Sequence, residues 1–287
     1  MKNNIVILGG GLSGKIAKYL LRGKNVLIGS QPTFNYGLFY VHRFLNNDLT
    51  QDKIRIRTVT DYPGTNAHEE YCMRTRGHNL DLNLSIDRVQ ENAIGWRLNK
   101  KALPYIDLEA KVTEIDVAGK CITFKGDKVS GKIKYDVLIN TIPLPDFIRL
   151  LNEGFRSWDM AKFIYDTKFD AIPVGLKYKR FPNKDLACDV KVVYLPSDDP
   201  KAYRASGNDE FSVYEYSFAF GDNAENKIYD KVLYPGKLIH SDNTPEILQV
   251  LKDNSIYSVG RYAKWDQRVL VHDAYDDVIK IKNELGI

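Results

Sequence analysis

The chain has 287 residues, 44% of them hydrophobic and 11% aromatic, enough to bury a large core as one domain or two closely joined ones. No segment is low in complexity or repeated, and no apolar run approaches the roughly 20 residues that cross a bilayer, so disorder and a membrane span are both excluded as readings. The net charge of +4 mildly favours anionic ligands, but Lys and Arg are scattered among 37 acidic residues, so charge alone does not argue for nucleic-acid binding.

Residues 4–8 form a short apolar run rich in β-branched side chains that passes straight into glycines, as expected of a strand buried in a parallel sheet. The turn Gly9-Gly10-Gly11-Leu12-Ser13-Gly14 follows. Residues 15–22 read as a helix with Ile16, Ala17, Leu20 and Leu21 on one face, and residues 25–28 as the next buried strand. This βαβ order around GxGxxG is the dinucleotide-binding arrangement: Gly9 for the tight turn, Gly11 for close approach of the backbone to a pyrophosphate, Gly14 for close packing of helix on strand. Leu12 and Ser13 belong to the helix start, whose amides would face the anion. Where the second strand usually ends in an acidic residue for the ribose, this chain has Gly29, Ser30 and Gln31. Ser30 or Gln31 would make a weaker neutral contact. With no charged leader before an apolar segment, the chain reads as soluble and cytoplasmic.

Further along, residues 109–117 and 119–125 read as two strands, followed by a polar loop rich in Lys and Gly. Residues 135–141 read as another buried strand, and helix resumes over residues 146–151 only after Pro143 and Pro145. Residues 190–195, 203–206 and 211–220 suggest antiparallel strands with tyrosines on one face. Tyr194, Tyr203, Arg204, Tyr214 and Tyr216 are candidates for a substrate pocket, although alternating tyrosines are also what half-buried packing produces. The three cysteines, Cys72, Cys121 and Cys188, lack zinc-site spacing, and His42, His68, His78, His240 and His272 show no HxxxH or HExxH pattern, so no metal is expected. His42 is considered as an acid or base, and His68-Glu69-Glu70, which also suggests acid-base chemistry, reads more simply as a solvated face. No nucleophile elbow is present, and no catalytic side chain is identified.

Three stretches together resemble a flavoprotein family: the glycine turn; Val112-Thr113-Glu114-Ile115-Asp116 with Tyr135-Asp136-Val137-Leu138-Ile139-Asn140-Thr141-Ile142-Pro143-Leu144-Pro145; and Tyr234-Pro235 with Ser255-Ile256-Tyr257-Ser258-Val259-Gly260-Arg261-Tyr262-Ala263-Lys264-Trp265. They are similar to the group containing UDP-galactopyranose mutase, protoporphyrinogen oxidase and the amine oxidases. The resemblance implies FAD as cofactor and an α/β fold: a discontinuous Rossmann-like FAD-binding domain (residues 1–55, 105–152 and 251–287) and an α+β substrate domain with an antiparallel sheet (56–104 and 153–250). It implies that Val112 gives backbone hydrogen bonds to adenine, that Thr141 and Pro143 border the cofactor, that Gly260 and Arg261 approach the flavin, and that Tyr36 to Tyr40, with Gly37, passes beneath it. Trp265 joins Tyr194, Tyr203 and Arg204 on the substrate side.

The activity so implied is an amine-oxidase-like oxidoreductase passing hydride from a small or nucleotide-linked substrate to flavin. The alternative is a nucleotide-sugar mutase, with Arg204 and Arg261 holding a diphosphate. A nucleic-acid substrate is a weaker variant, and a non-catalytic flavin-dependent scaffold a third class.

Overall fold

The computed structural model describes residues 4–21, 25–30, 40–76, 93–158, 160–164, 167–179, 188–199, 201–208, 211–218, 229–239, 241 and 243–287. In chain order the elements begin with β1 (Ile5–Leu8), α1 (Leu12–Leu20), β2 (Asn25–Gly29), β3 (Thr50–Thr60), α2 (Ala67–Arg76), β4 (Ala93–Leu98) and β5 (Leu108–Glu109). Then come β6 (Lys111–Asp116), β7 (Cys121–Lys125), β8 (Ser130–Lys134), β9 (Val137–Asn140), α3 (Leu144–Leu150), α4 (Glu153–Trp158) and α5 (Ala161–Ile164). The last are β10 (Ala171–Lys179), β11 (Val190–Tyr194), β12 (Arg204–Gly207), β13 (Ser212–Ser217), β14 (Lys231–Leu238), α6 (Thr244–Asp253), β15 (Ile256–Ser258) and α7 (Val271–Glu284). None of these helices is long and apolar enough to cross a membrane.

The chain divides into two compact units, Met1–Phe34 with Lys100–Asp170 and Leu238–Ile287, and Asn35–Asn99 with Ala171–Lys237. The changeovers fall near residues 34, 99, 170 and 237, where the sequence suggested 55, 104, 152 and 250. β3 accounts for the first difference, because its residues from Thr50 onward pair with β4 in the second unit's sheet.

The first unit is built on a five-stranded sheet, order β15-β9-β1-β2-β5, in which every pairing is parallel. β1 and β9 are buried throughout, which their unbroken apolar sequences require of central parallel strands. Ile5, Ile7, Leu27, Val137 and Ile139 pack on one face against Ile16, Ala17, Leu20 and Leu21 of the α1 region and Ala274, Val278 and Ile281 of α7. A three-stranded antiparallel sheet, β6-β7-β8, belongs to the same unit. β8 occupies residues expected to form a polar loop: Ser130, Lys132 and Lys134 are exposed along an edge strand, and pairing with β7, with Ile133 opposite Ile122, makes it a strand. α3 begins at Leu144 rather than after the prolines, with Pro145 in the first turn, where a missing N–H breaks no helical bond. α1 likewise begins at Leu12, so Ser13 and Gly14 are helical and Gly11 is its N-cap.

The second unit is a seven-stranded sheet, order β14-β10-β13-β12-β11-β3-β4. It is mixed rather than purely antiparallel, since β11 and β3 run parallel. Tyr71 and Ala67 of α2 pack against Val174, Leu176, Leu195, Tyr203 and Val213.

Candidate functional site

The C-terminal end of the parallel sheet collects most of the residues singled out in sequence. Gly9 leaves β1 with φ of 109°, a conformation disfavoured for any residue with a Cβ, and its N–H donates to the Ile28 carbonyl at 2.8 Å. A Cβ there would strike Thr141 Oγ1, and one on Gly14 would strike the Gly9 carbonyl oxygen. Thr141 donates to the Leu8 carbonyl from its amide (2.9 Å) and its hydroxyl (2.6 Å), stitching the exit of β9 to the glycine turn. Gly11 differs from these neighbours. A Cβ there would meet nothing within 4 Å among the described residues, so its place is open. No side chain caps α1 and no acidic residue lies in its first turn, which leaves a positive helix end facing that space.

A second turn closes on the same place. Gly260 has φ of 90°, and a Cβ on it would strike Ser13 Oγ. The Val259 N–H donates to the Asn140 carbonyl (2.9 Å) and the Leu144 N–H to the Tyr262 carbonyl (3.0 Å), so the segments carrying Thr141, Pro143 and Gly260 converge around Gly9 to Gly14. Arg261 Nε donates to the Val269 carbonyl at 3.0 Å, holding the turn's far side. Ser30 is exposed directly after β2, while Gln31 and residues 36–39 lie outside the described residues. Val112 is buried in β6, beside a bulge between Val112 and Glu114. Trp265 is 4% exposed, its indole N–H donates to the Ile239 carbonyl at 3.1 Å, and its ring meets Phe169 edge-on at 5.5 Å. The structure places it in packing within the first unit.

Asn140 was not singled out in sequence. It is fully buried, its Oδ1 accepts the Ile142 N–H at 3.0 Å, and its Nδ2 has no partner among the described residues. The Ile142 amide fixes which way this side chain points, since only oxygen can accept there. Ser258, its register partner on β15, also buries a hydroxyl without a partner. Two buried unsatisfied groups side by side, at the ends of the strands that feed both turns, mark a polar node. The one sequence signal was a polar residue ending an apolar run.

In the second unit, register joins residues far apart in the chain. Arg204 of β12 lies opposite Glu215 of β13, and Tyr194 of β11 lies opposite Arg204. Arg204 Nε donates to Glu215 Oε1 at 2.9 Å, and its Nη2 donates to the same oxygen. The Tyr203 hydroxyl donates to Oε2. Burial pushes the Glu215 carboxyl up, but the Arg204 charge, the hydrogen bonds from Tyr203 and Arg204, and Lys237 outweigh it and hold the group below its ordinary range. Burial, with the neighbouring Glu215 carboxylate, holds the Tyr203 phenol well above its ordinary range. Lys237 lies over the Tyr203 ring at 4.1 Å and donates to the Tyr71 hydroxyl at 3.0 Å, adding a second cation.

The tyrosines do not share one face. Tyr194 lies on the face with Arg204 and Glu215, whereas Tyr214 and Tyr216 point the other way and donate to Asp198 (2.6 Å) and Asp199 (2.7 Å). His42 belongs to this unit and meets Tyr40 edge-on at 4.9 Å, while His78 and His240 lie outside the described residues.

No family model matches the chain. An uncharacterised protein of Archaeoglobus fulgidus is 29% identical over 130 residues, which is 44% of this chain, and the match spans only 22% of that relative's length. Among solved structures, the fold matches reduced UDP-galactopyranose mutase with a TM-score of 0.65 at 15% identity, covering 100% of this chain and 94% of the other. It also matches a CLA-producing fatty acid isomerase from P. acnes with a TM-score of 0.58 at 9% identity, covering 100% and 99%. At these identities the likeness is one of fold: a mixed α/β architecture shared with enzymes.

Proposed function

We propose that the chain is an FAD-dependent enzyme, an oxidoreductase of amine-oxidase type acting on a small or nucleotide-linked substrate in the cytoplasm. The observation that carries this reading is the contrast among the turn glycines. Gly9, Gly14 and Gly260 have no room for a Cβ because protein fills the space, whereas at Gly11 no described residue comes within 4 Å of where a Cβ would sit, beside a helix start that carries no side-chain cap. That combination fits a dinucleotide pyrophosphate. The Gly11 region and the α1 amides would hold the diphosphate, and Val112 would meet adenine through its backbone. Thr141, Pro143, Gly260 and Arg261 would border the ring system, with the Asn140 and Ser258 node behind them.

Flavin, when bound, supplies hydride acceptance at a ring that needs no protein nucleophile, in keeping with the absence of a recognisable one in the sequence. The chain's own work is to grip the diphosphate, fix the two turns and orient the substrate. In this reading Arg204, held by Glu215, and the adjacent Tyr194 and Tyr203 belong to substrate recognition. A second reading, a flavin-dependent mutase or isomerase, gains support from the two fold relatives being a mutase and an isomerase and from the Arg204 and Lys237 cations, which suit an anionic substrate.

The test is Gly11→Val against wild type. Wild type takes up stoichiometric FAD and shows flavin absorbance, and Gly11→Val folds with a cooperative melt lowered by no more than the loss of a glycine N-cap but loses at least tenfold in FAD affinity. Equal affinity in the two proteins sinks the assignment. Stopped-flow reduction of bound flavin by amines then supports the oxidoreductase, while turnover of a nucleotide sugar only after dithionite reduction supports the mutase.

A further inference from the structure

We infer that Glu109 is the acidic residue that receives the adenosine ribose, supplied by β5 instead of by the end of β2. This rests on the flavin reading above and identifies a residue that reading leaves open. A dinucleotide fold ordinarily ends its second strand with a carboxylate that accepts the ribose hydroxyls, and here β2 ends in Gly29, followed by Ser30. The neighbouring edge strand repairs the omission. β5 pairs parallel to β2 with Glu109 directly beside Gly29, so its backbone lies about 4.8 Å away at the same C-terminal end of the sheet.

The direction of the side chain follows from register. Residues paired across adjacent strands project to the same face, and a Cβ on Gly29 would run into the backbone of Gly10. The face onto which Glu109 projects is therefore the one that carries the glycine turn, with the opening at Gly11 next along the chain. Leu108, the other residue of β5, pairs with Ile28 and projects to the opposite face.

Glu109 is also available. It is exposed, and among the described residues its carboxylate has no hydrogen bond or ion pair. The nearby acid, Asp107, is spent: its Oδ2 accepts the Leu27 N–H at 2.8 Å and its Oδ1 is held by Lys18 Nζ. A carboxylate accepts hydrogen bonds from hydroxyl donors and repels anions, so in the flavin reading Glu109 suits the ribose diol and not the diphosphate.

The test compares wild type with Glu109→Gln and Glu109→Ala, using FAD, ADP and 2′,3′-dideoxy-ADP as ligands in titration calorimetry. Both variants weaken FAD and ADP by on the order of tenfold, the loss expected for a charge-assisted hydrogen bond, and leave dideoxy-ADP unchanged or tighter. Apoprotein melting stays the same in all three proteins, because nothing in the fold leans on this carboxylate. FAD and ADP binding as tight in both variants as in wild type overturns the assignment, as does an equal loss for ADP and dideoxy-ADP. Wild type that binds neither FAD nor ADP overturns the flavin reading as well, so the two failures are distinct.

Discussion

The glycine-turn end of the parallel sheet and the Arg204 face of the mixed sheet handle polarity in opposite ways. In the first the main chain does the work: Gly9, Gly14 and Gly260 are set by steric exclusion, and among the described residues no side chain caps the helix start. In the second, charged side chains are satisfied by one another, Arg204 by Glu215 and Glu215 by Tyr203, with Lys237 against aromatic rings. A site built from backbone tolerates no added atoms at Gly9, Gly14 and Gly260 but carries little buried charge. A site built from side chains depends on every partner remaining in place.

Deleting a partner therefore gives the largest expected effect. Glu215→Ala leaves the buried Tyr203 hydroxyl and the partly exposed Arg204 guanidinium without their acceptor and costs about 2–4 kcal/mol in urea unfolding. The double variant Arg204→Met with Glu215→Leu recovers most of that loss, and a double variant as unstable as the single one breaks the picture of mutual satisfaction. The glycine end responds through sterics instead. Gly14→Ala, which pushes a methyl into the Gly9 carbonyl, costs about 1–3 kcal/mol, and Gly260→Ala costs about 1–2 kcal/mol for its positive φ alone. Gly11→Ala costs only about 0.5–1 kcal/mol, because alanine is the poorer N-cap, and thermal melts of the three variants rank them directly.

The same contrast decides how much was legible in sequence. A backbone that must turn tightly and pack closely accepts few residue types, so the strand, glycine turn and helix announced themselves, and the structure packs Thr141 and Gly260 against that turn. Cross-strand partners leave no such trace. Arg204 and Glu215 are eleven residues apart, and only the β12 to β13 register makes them opposite; the tyrosines expected on one face divide between two for the same reason. β8 escaped notice because an edge strand whose one apolar residue is Ile133 carries too short an alternation to read locally. Glu109 was visible only as a strand residue, since parallel pairing to β2 depends on chain far outside any local window.

The smallest expected effect concerns the segment that closes the cradle, where backbone geometry and side-chain charge meet. Lys264, four residues beyond Gly260, pairs with Asp277 of α7 at 2.7 Å. Burial raises the Asp277 carboxyl above its ordinary range, with Asp273 adding to the rise and Lys264 and Lys280 opposing it. A carboxyl raised in the folded state binds more protons there than in the unfolded chain between the unfolded value, about 3.9, and the folded one. Its contribution to stability is therefore fully present below the unfolded value and is lost as pH rises through the folded one. Asp277→Asn removes that slope, whereas Lys264→Met, by taking away the first opposing charge, steepens it. Urea unfolding repeated across mildly acidic pH measures both. Parallel pH profiles for wild type and Asp277→Asn would mean that the closing turn is held by its backbone alone, as the glycine turn is, with the ion pair incidental.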